Sequence, residues 1–217
     1  MTETKGAGPG SAPLVSAAVV CAAGFLVLPL SDLGPLSLQM THHLVLMNVA
    51  APLLAVFLAA RLPTLGARAL WIAAASQLFL LWAWHLPGAQ QSAALSGLLQ
   101  ATMLLLLGAV ALAFWLAVIA AERTGGWRAI AGLLLTGKFA CLLGALLIFA
   151  PRDLYGLAGL ALAFCSSGPS SLEDQQLAGL LMVTACPLSY LTAGVVVAAR
   201  LLSRIADEPD RHAAGAR

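Results

Sequence analysis

Imidazole and thioether side chains recur within one short stretch, Gln39-Met40-Thr41-His42-His43-Leu44-Val45-Leu46-Met47. Spacings of three and four residues put Met40, His43 and Met47 on one helical face, provided the helix starts early enough. Such donors suit Cu(I), a soft cation, whereas carboxylates suit Mg or Ca. No Asp or Glu joins the group, which argues against a di-iron or di-manganese carboxylate site. His85, just before Leu86-Pro87, is the only other histidine outside the C-terminal tail, where His212 reads as solvated. The plainer reading of the same residues is hydrated histidines at a membrane interface and methionines that pack.

The elements that position these residues follow from composition. The chain has 217 residues, 61% hydrophobic and only 9% charged, against about 25% charged in a typical soluble domain. Mean hydropathy is +0.94. This excludes a soluble enzyme, a nucleic-acid-binding module and a coiled coil. The net charge of +2 is too small to imply a polyanionic partner, nucleic acid included. Six apolar runs are each long enough, or nearly so, to cross a hydrocarbon core: 12–30, 43–60, 67–86, 97–121, 129–150 and 176–202. A seventh, 154–165, is too short to cross and reads as interfacial or re-entrant. The runs are continuous rather than alternating, so the fold class is all-α, a polytopic transmembrane bundle of about six spans. Residues 1–11 and 203–217 read as tails, and 31–42, 87–96 and 151–175 as loops on one face. The first run lacks the flanks of a cleaved signal peptide and reads as part of the mature membrane domain, 12–202.

Charge orients the bundle. With six spans, Lys5, Arg61, Arg68, Arg123, Arg128, Arg200, Arg204, Arg211 and Arg217 fall on one side, and the other has only Arg152 beside Asp153. The positive-inside rule then puts both termini in the cytoplasm. Trp71, Trp115 and Trp127 fall at the inner boundary, Trp82 and Trp84 at the outer one. A loop of about six residues makes the second and third spans an antiparallel hairpin. Its outer ends carry His42 and His43 on one strand of chain and His85 on the other, so His43 and His85 can meet there.

Other polar residues are few. Lys138 is the only charge deep in a span, about 15 Å beyond Arg128. A lysine there costs about 2.5–3.5 kcal/mol on insertion scales, so it is expected to face the bundle or a partner, with Thr136, Gln77 or Ser189 as neutral partners. Glu173 and Asp174 follow Ser170 and Ser171 at capping-box spacing and read as caps of their own helix rather than as catalytic acids. Cys21, Cys141, Cys165 and Cys186 form no CxxC pair, so neither a disulfide framework nor a zinc site is indicated. Pro52 and Pro187 should loosen their helices. Ala140 and Gly144, or Gly194 and Ala198, allow close helix contacts.

The stretch from Gln39 to Leu54 resembles the His-Met-rich signature of the CtaG-like cytochrome c oxidase assembly factors, the multi-span membrane family. Trp84-His85-Leu86-Pro87 is similar to its second motif and Phe149-Ala150-Pro151-Arg152-Asp153-Leu154-Tyr155 to a third. Leu172-Glu173-Asp174-Gln175-Gln176-Leu177-Ala178-Gly179-Leu180-Leu181-Met182 is the closest match. The four lie in the family's order. The resemblance implies a bacterial cytoplasmic-membrane protein that is not an enzyme. Its partners would be subunits of a haem-copper oxidase and the surrounding lipid, a homo-oligomer being compatible. It further implies a role in handling copper on the outer side, where charge counting already places His43 and His85. Met40, His43, Met47 and His85 are the candidate Cu(I) ligands from their spacing, with His42, Lys138, Glu173 and Asp174 as further functional candidates from their chemistry and position. Two departures stand out. Members often have His where Gln39 stands, and a further His early in the helix matching 97–121, where this chain offers Gln100, Thr102 and Met103.

Three other functions fit parts of the pattern. His43 and His85 could be axial ligands of one haem. A metal-free scaffold would hold a nascent oxidase subunit through its outer loops and Lys138. A permease would need more polar residues inside the spans than this sequence has.

Overall fold

The computed structural model describes residues 33–61, 65–156 and 172–214, with Ser16 and Val19. The expected first span, the N-terminal tail, the apolar stretch after Gly156, and Ser170 and Ser171 lie outside these residues, apart from Ser16 and Val19, which are helical.

Every regular element among the described residues is helical. The first, α1 (Pro35–Val45), starts eight residues before His43. Gly34 is extended and Pro35 takes the first helical position, where its missing N–H costs nothing and its fixed φ suits the helix. A turn of π-helix, Leu46–Ala50, joins α1 to α2 (Ala51–Ala59). Pro52 explains the widening: it cannot donate to the carbonyl one turn back, at Asn48, and its ring crowds that carbonyl. Together these pieces form one apolar rod, Pro35–Ala59.

The next helix, α3 (Ala67–Trp84), stops because a residue preceding proline is driven out of the helical region. Leu86 is extended, and α4 (Pro87–Ala94) leaves at 70° to α3. Ser96 caps α5 (Gly97–Arg123) by accepting from the Leu99 N–H. Gly125 and Gly126, both at positive φ, turn the chain into α6 (Trp127–Phe149). Ala150 is extended ahead of Pro151 and ends it. The last element, α7 (Leu172–Ala214), passes Pro187 without a break.

Among the described residues, four helices are long and apolar enough to cross a membrane, or five if the bent pair α3–α4 is one span. Of the six expected, 67–86 counts only together with α4, and 12–30 lies outside the described residues apart from Ser16 and Val19. The expected loops 31–42 and 87–96 are corrected: both are largely helical, as α1 and α4. The last helix also starts earlier and ends later than the expected 176–202, taking in most of the supposed tail.

The helices alternate in direction, so Arg61, Arg68, Arg123, Arg128, Arg200 and Arg204 gather at one end of the bundle. At that end Glu122, buried in α5, binds Arg204 at 2.6 Å and faces Arg200 at 3.7 Å. The tightest helix pair is α6 with α7. A Cβ on Gly144 would come within 2.9 Å of the Gly179 carbonyl oxygen, and one on Gly179 within 2.6 Å of the Gly144 carbonyl oxygen. Small residues let these backbones approach. The contact expected at Gly144 is present, whereas nothing stands within 4 Å of a would-be Cβ on Gly194. Deeper in the bundle, Trp115 stacks on Tyr190 at 5.5 Å, and its indole N–H donates to the Met47 carbonyl. Trp115 is therefore a core residue, not the interfacial aromatic expected.

Candidate metal-binding site

The opposite end of the bundle gathers the histidines. In α1, Met40 and His43 are separated by three residues and share one buried face, at 0% and 1% exposure. His85 closes α3 beside them. The two imidazole rings meet edge to face, with centroids 5.5 Å apart. The hairpin argument thus placed the pair correctly. Its depth was misjudged for His43, which lies two turns inside α1 rather than at the mouth of a span.

His85 is oriented by its neighbours. Its Nδ1 faces the Leu81 carbonyl, so that nitrogen carries the proton and donates. Its Nε2 then presents a lone pair, and the atom it faces is the Met40 sulfur, 3.2 Å away. A thioether has no proton to give. Two acceptors face each other in a buried place, and at 3.2 Å a cation could bind both only from the side or after the two part. An imidazole that donates through one nitrogen to a backbone carbonyl while its other nitrogen stays open is also the usual posture of a metal-bound histidine. His43 adds two buried ring nitrogens, neither with a hydrogen-bond partner among the described residues. Native proteins seldom leave such atoms unmatched.

The frame around the pair comes from far along the chain. Asp174 at the start of α7 accepts from the backbone N–H of Leu36 at 2.9 Å and of Ser37 at 3.0 Å, and Ser37 returns a hydroxyl bond to the Asp174 carbonyl. The carboxylate therefore caps α1. Gly34 makes room for it, since a Cβ there would collide with the Asp174 carboxyl group. On the other side, the buried Tyr155 hydroxyl donates to the His85 carbonyl at 3.1 Å. Burial, with the Asp153 carboxylate adding to it, pushes the Tyr155 phenol above its usual range and keeps it a donor. Gln91 donates to the Tyr155 carbonyl. Gln175 accepts from the Leu154 N–H at 2.8 Å and donates to the Leu147 carbonyl at 3.1 Å, tying the segment after α6 to the root of α7.

The family model for the cytochrome c oxidase caa3 assembly factor matches residues 14–204, most of the chain. The chain belongs to that family. No curated protein and no solved structure matches it. In this assembly factor the four stretches that carry the resemblance prove to be one assembly: Asp174 holds Leu36 and Ser37, Tyr155 holds His85, and His85 faces Met40. The two departures from the family pattern also meet. The Gln39 amide donates to the Met103 sulfur at 3.4 Å, and Gln100 lies buried one turn before Met103.

The remaining candidates divide. Met47 is buried on the expected face, but it lies in the π-turn, and no hydrogen bond or ring contact joins its side chain to either imidazole. His42 is buried next to the pair. Glu173 is exposed and Asp174 buried, so the acidic doublet splits into a surface residue and a structural one. Lys138 is exposed on α6, so of the two expected placements, bundle or partner, it does not face the bundle. The buried stripe of α6 runs through Gly137 and Ala140, and Lys138 lies just off it. Cys186 is buried against Asn48, at 3.7 Å, and Cys141 is partly exposed, so the two make no thiolate site with the histidines. Among the described residues no three of His, Cys, Asp and Glu come together. Tyr155 and Gln175 were missed as site residues. The signal was present, since both lie in the third and fourth motifs.

Proposed function

We propose that this assembly factor carries Cu(I) as cargo at Met40, His43 and His85, with Met47 one turn deeper, and passes it to an oxidase subunit. The observation that supports the reading is the His85 Nε2 facing the Met40 sulfur at 3.2 Å, beside an imidazole whose nitrogens have no hydrogen-bond partner among the described residues. Two imidazoles and a thioether favour a soft monovalent ion. They form a small donor set, suited to an ion held in transit rather than permanently. The Met40 sulfur 3.2 Å from Nε2 leaves no space there for the flat macrocycle of a haem, whereas a single ion needs only a small shift of the thioether.

The Arg-rich end of the bundle supports a cytoplasmic position for that end, and so an outer-face position for the histidines, in a bacterial cytoplasmic membrane. The alternative is a metal-free scaffold for a nascent oxidase subunit. It draws support from Gln39, a neutral amide where members of the family often carry His, and from the lack of a His in the window 98–105.

The deciding experiment loads the detergent-purified protein anaerobically with Cu(I), desalts it, and measures copper per chain beside a His43→Ala/His85→Ala variant. Copper retained by the parent and lost from the variant is expected. Equal copper in both, or none in either, would reject the cargo site and leave the scaffold. A Soret band in the purified protein would instead favour haem.

A further inference from the structure

Lys138 stands eleven residues from each end of α6, about 16 Å either way and farther than a lysine stem can reach to water or headgroups. It is exposed on the outside of the bundle. It borders a recess of about 200 Å³ between α6 and α7, walled by Leu134, Gly137, Cys141, Pro187 and Leu191. Gly137 brings no side chain to this wall, and the recess is large enough for a side chain from outside. An ammonium facing hydrocarbon at mid-depth is costly unless paired.

This chain has no carboxylate to offer. Its nine acidic residues are Glu3, Asp32, Glu122, Asp153, Glu173, Asp174, Asp207, Glu208 and Asp210. All nine lie outside or at the margins of the apolar runs. Two of them are already engaged near helix ends: Glu122 by Arg200 and Arg204, Asp174 by the α1 N-terminus. A second copy of the chain lacks a mid-span carboxylate for the same reason.

We propose that the Lys138 recess is an intramembrane docking site for a transmembrane helix of another protein, one that carries Asp or Glu near the middle of its span. The apolar walls supply packing, and the ammonium selects the partner by charge, since only an acidic span removes the cost on both sides. The site lies on a different face from the histidines and operates with or without copper.

The test places a photo-crosslinking residue at Leu134 or Leu191, both exposed at the rim, in the full chain within its native membranes. The adduct is sequenced. The expected product is an apolar span of a different protein containing a central Asp or Glu. Yield should fall about tenfold with Lys138→Met, the scale of one interhelical hydrogen bond in a membrane, and persist with Lys138→Arg. Should Lys138→Met fail to accumulate, Lys138→Asp paired with a lysine at the partner's acidic position should restore the adduct. Adducts to lipid alone, to a second copy of this chain, or to a span without a central acid would overturn the proposal. So would a yield indifferent to Lys138→Met, or no restoration by the charge swap.

Discussion

Ser37 and Asp174, 137 residues apart, are joined twice: the Ser37 N–H donates to the Asp174 carboxylate and the Ser37 hydroxyl to the Asp174 carbonyl, each at 3.0 Å. The first turn of α1, and with it the level of Met40 and His43, is set by the root of α7. Asp174→Ala should remove the cap and cost about 1–3 kcal/mol, because it leaves buried N–H groups unmatched. Glu173→Ala, at an exposed position, should change little. Thermal unfolding of the purified variants would separate the two. Similar losses from both would mean that the acidic doublet acts as a surface charge pair.

Tyr155→Phe deletes one hydroxyl and keeps the ring. The His85 carbonyl then loses its 3.1 Å donor, and stability should drop by about 1 kcal/mol. If the cargo reading holds, copper per chain should stay unchanged while a Cu(I) chelator competes more effectively. Competition titration reads this directly. Unaltered competition would mean that the Tyr155 bond does not position His85 for the ion.

Gly144→Ala and Gly179→Ala should each force α6 and α7 apart, since the new Cβ would press on the facing backbone oxygen. Overpacking of this kind costs about 1–3 kcal/mol. Gly194→Ala meets open space and should be neutral or mildly stabilising through helix propensity. The comparison needs only melting temperatures in one detergent, and a Gly194→Ala loss as large as the other two would contradict the packing argument.

At the Arg-rich end, Glu122→Gln leaves Arg200 and Arg204 side by side without their shared carboxylate. Both arginines are largely solvated, which weakens the pair, so the expected loss is about 1 kcal/mol at low salt and less at high salt. A salt-independent loss would locate the effect in packing around Glu122 instead of in charge.

Local rules made much of this molecule legible in its sequence. The length of the apolar runs identified membrane-type helices, and the expected meeting of His43 with His85 is observed. The depth of His43 was misread because the polar Gln39-Met40-Thr41-His42 run looks like a loop. Gly34-Pro35, a helix-start signal, marked the true boundary. The insertion cost of Lys138 leaves two placements open, toward the bundle or toward a partner. The small residues Gly132, Thr136, Gly137, Ala140 and Gly144 already traced the packing stripe and put Lys138 beside it. The long-range bonds of Asp174, Tyr155 and Gln175 could not be read from spacing. Each links segments whose relative placement exists only after the helices have packed.

The cross-chain cap on α1 also imposes an order in time. A chain made from its N-terminus delivers Met40, His43 and His85 to the membrane well before Asp174 is synthesised. Until α7 arrives, the first turn of α1 lacks the carboxylate that fixes it. A truncated or half-inserted chain therefore carries the histidines without the clamp that seats them, and only the finished protein presents them at their final level.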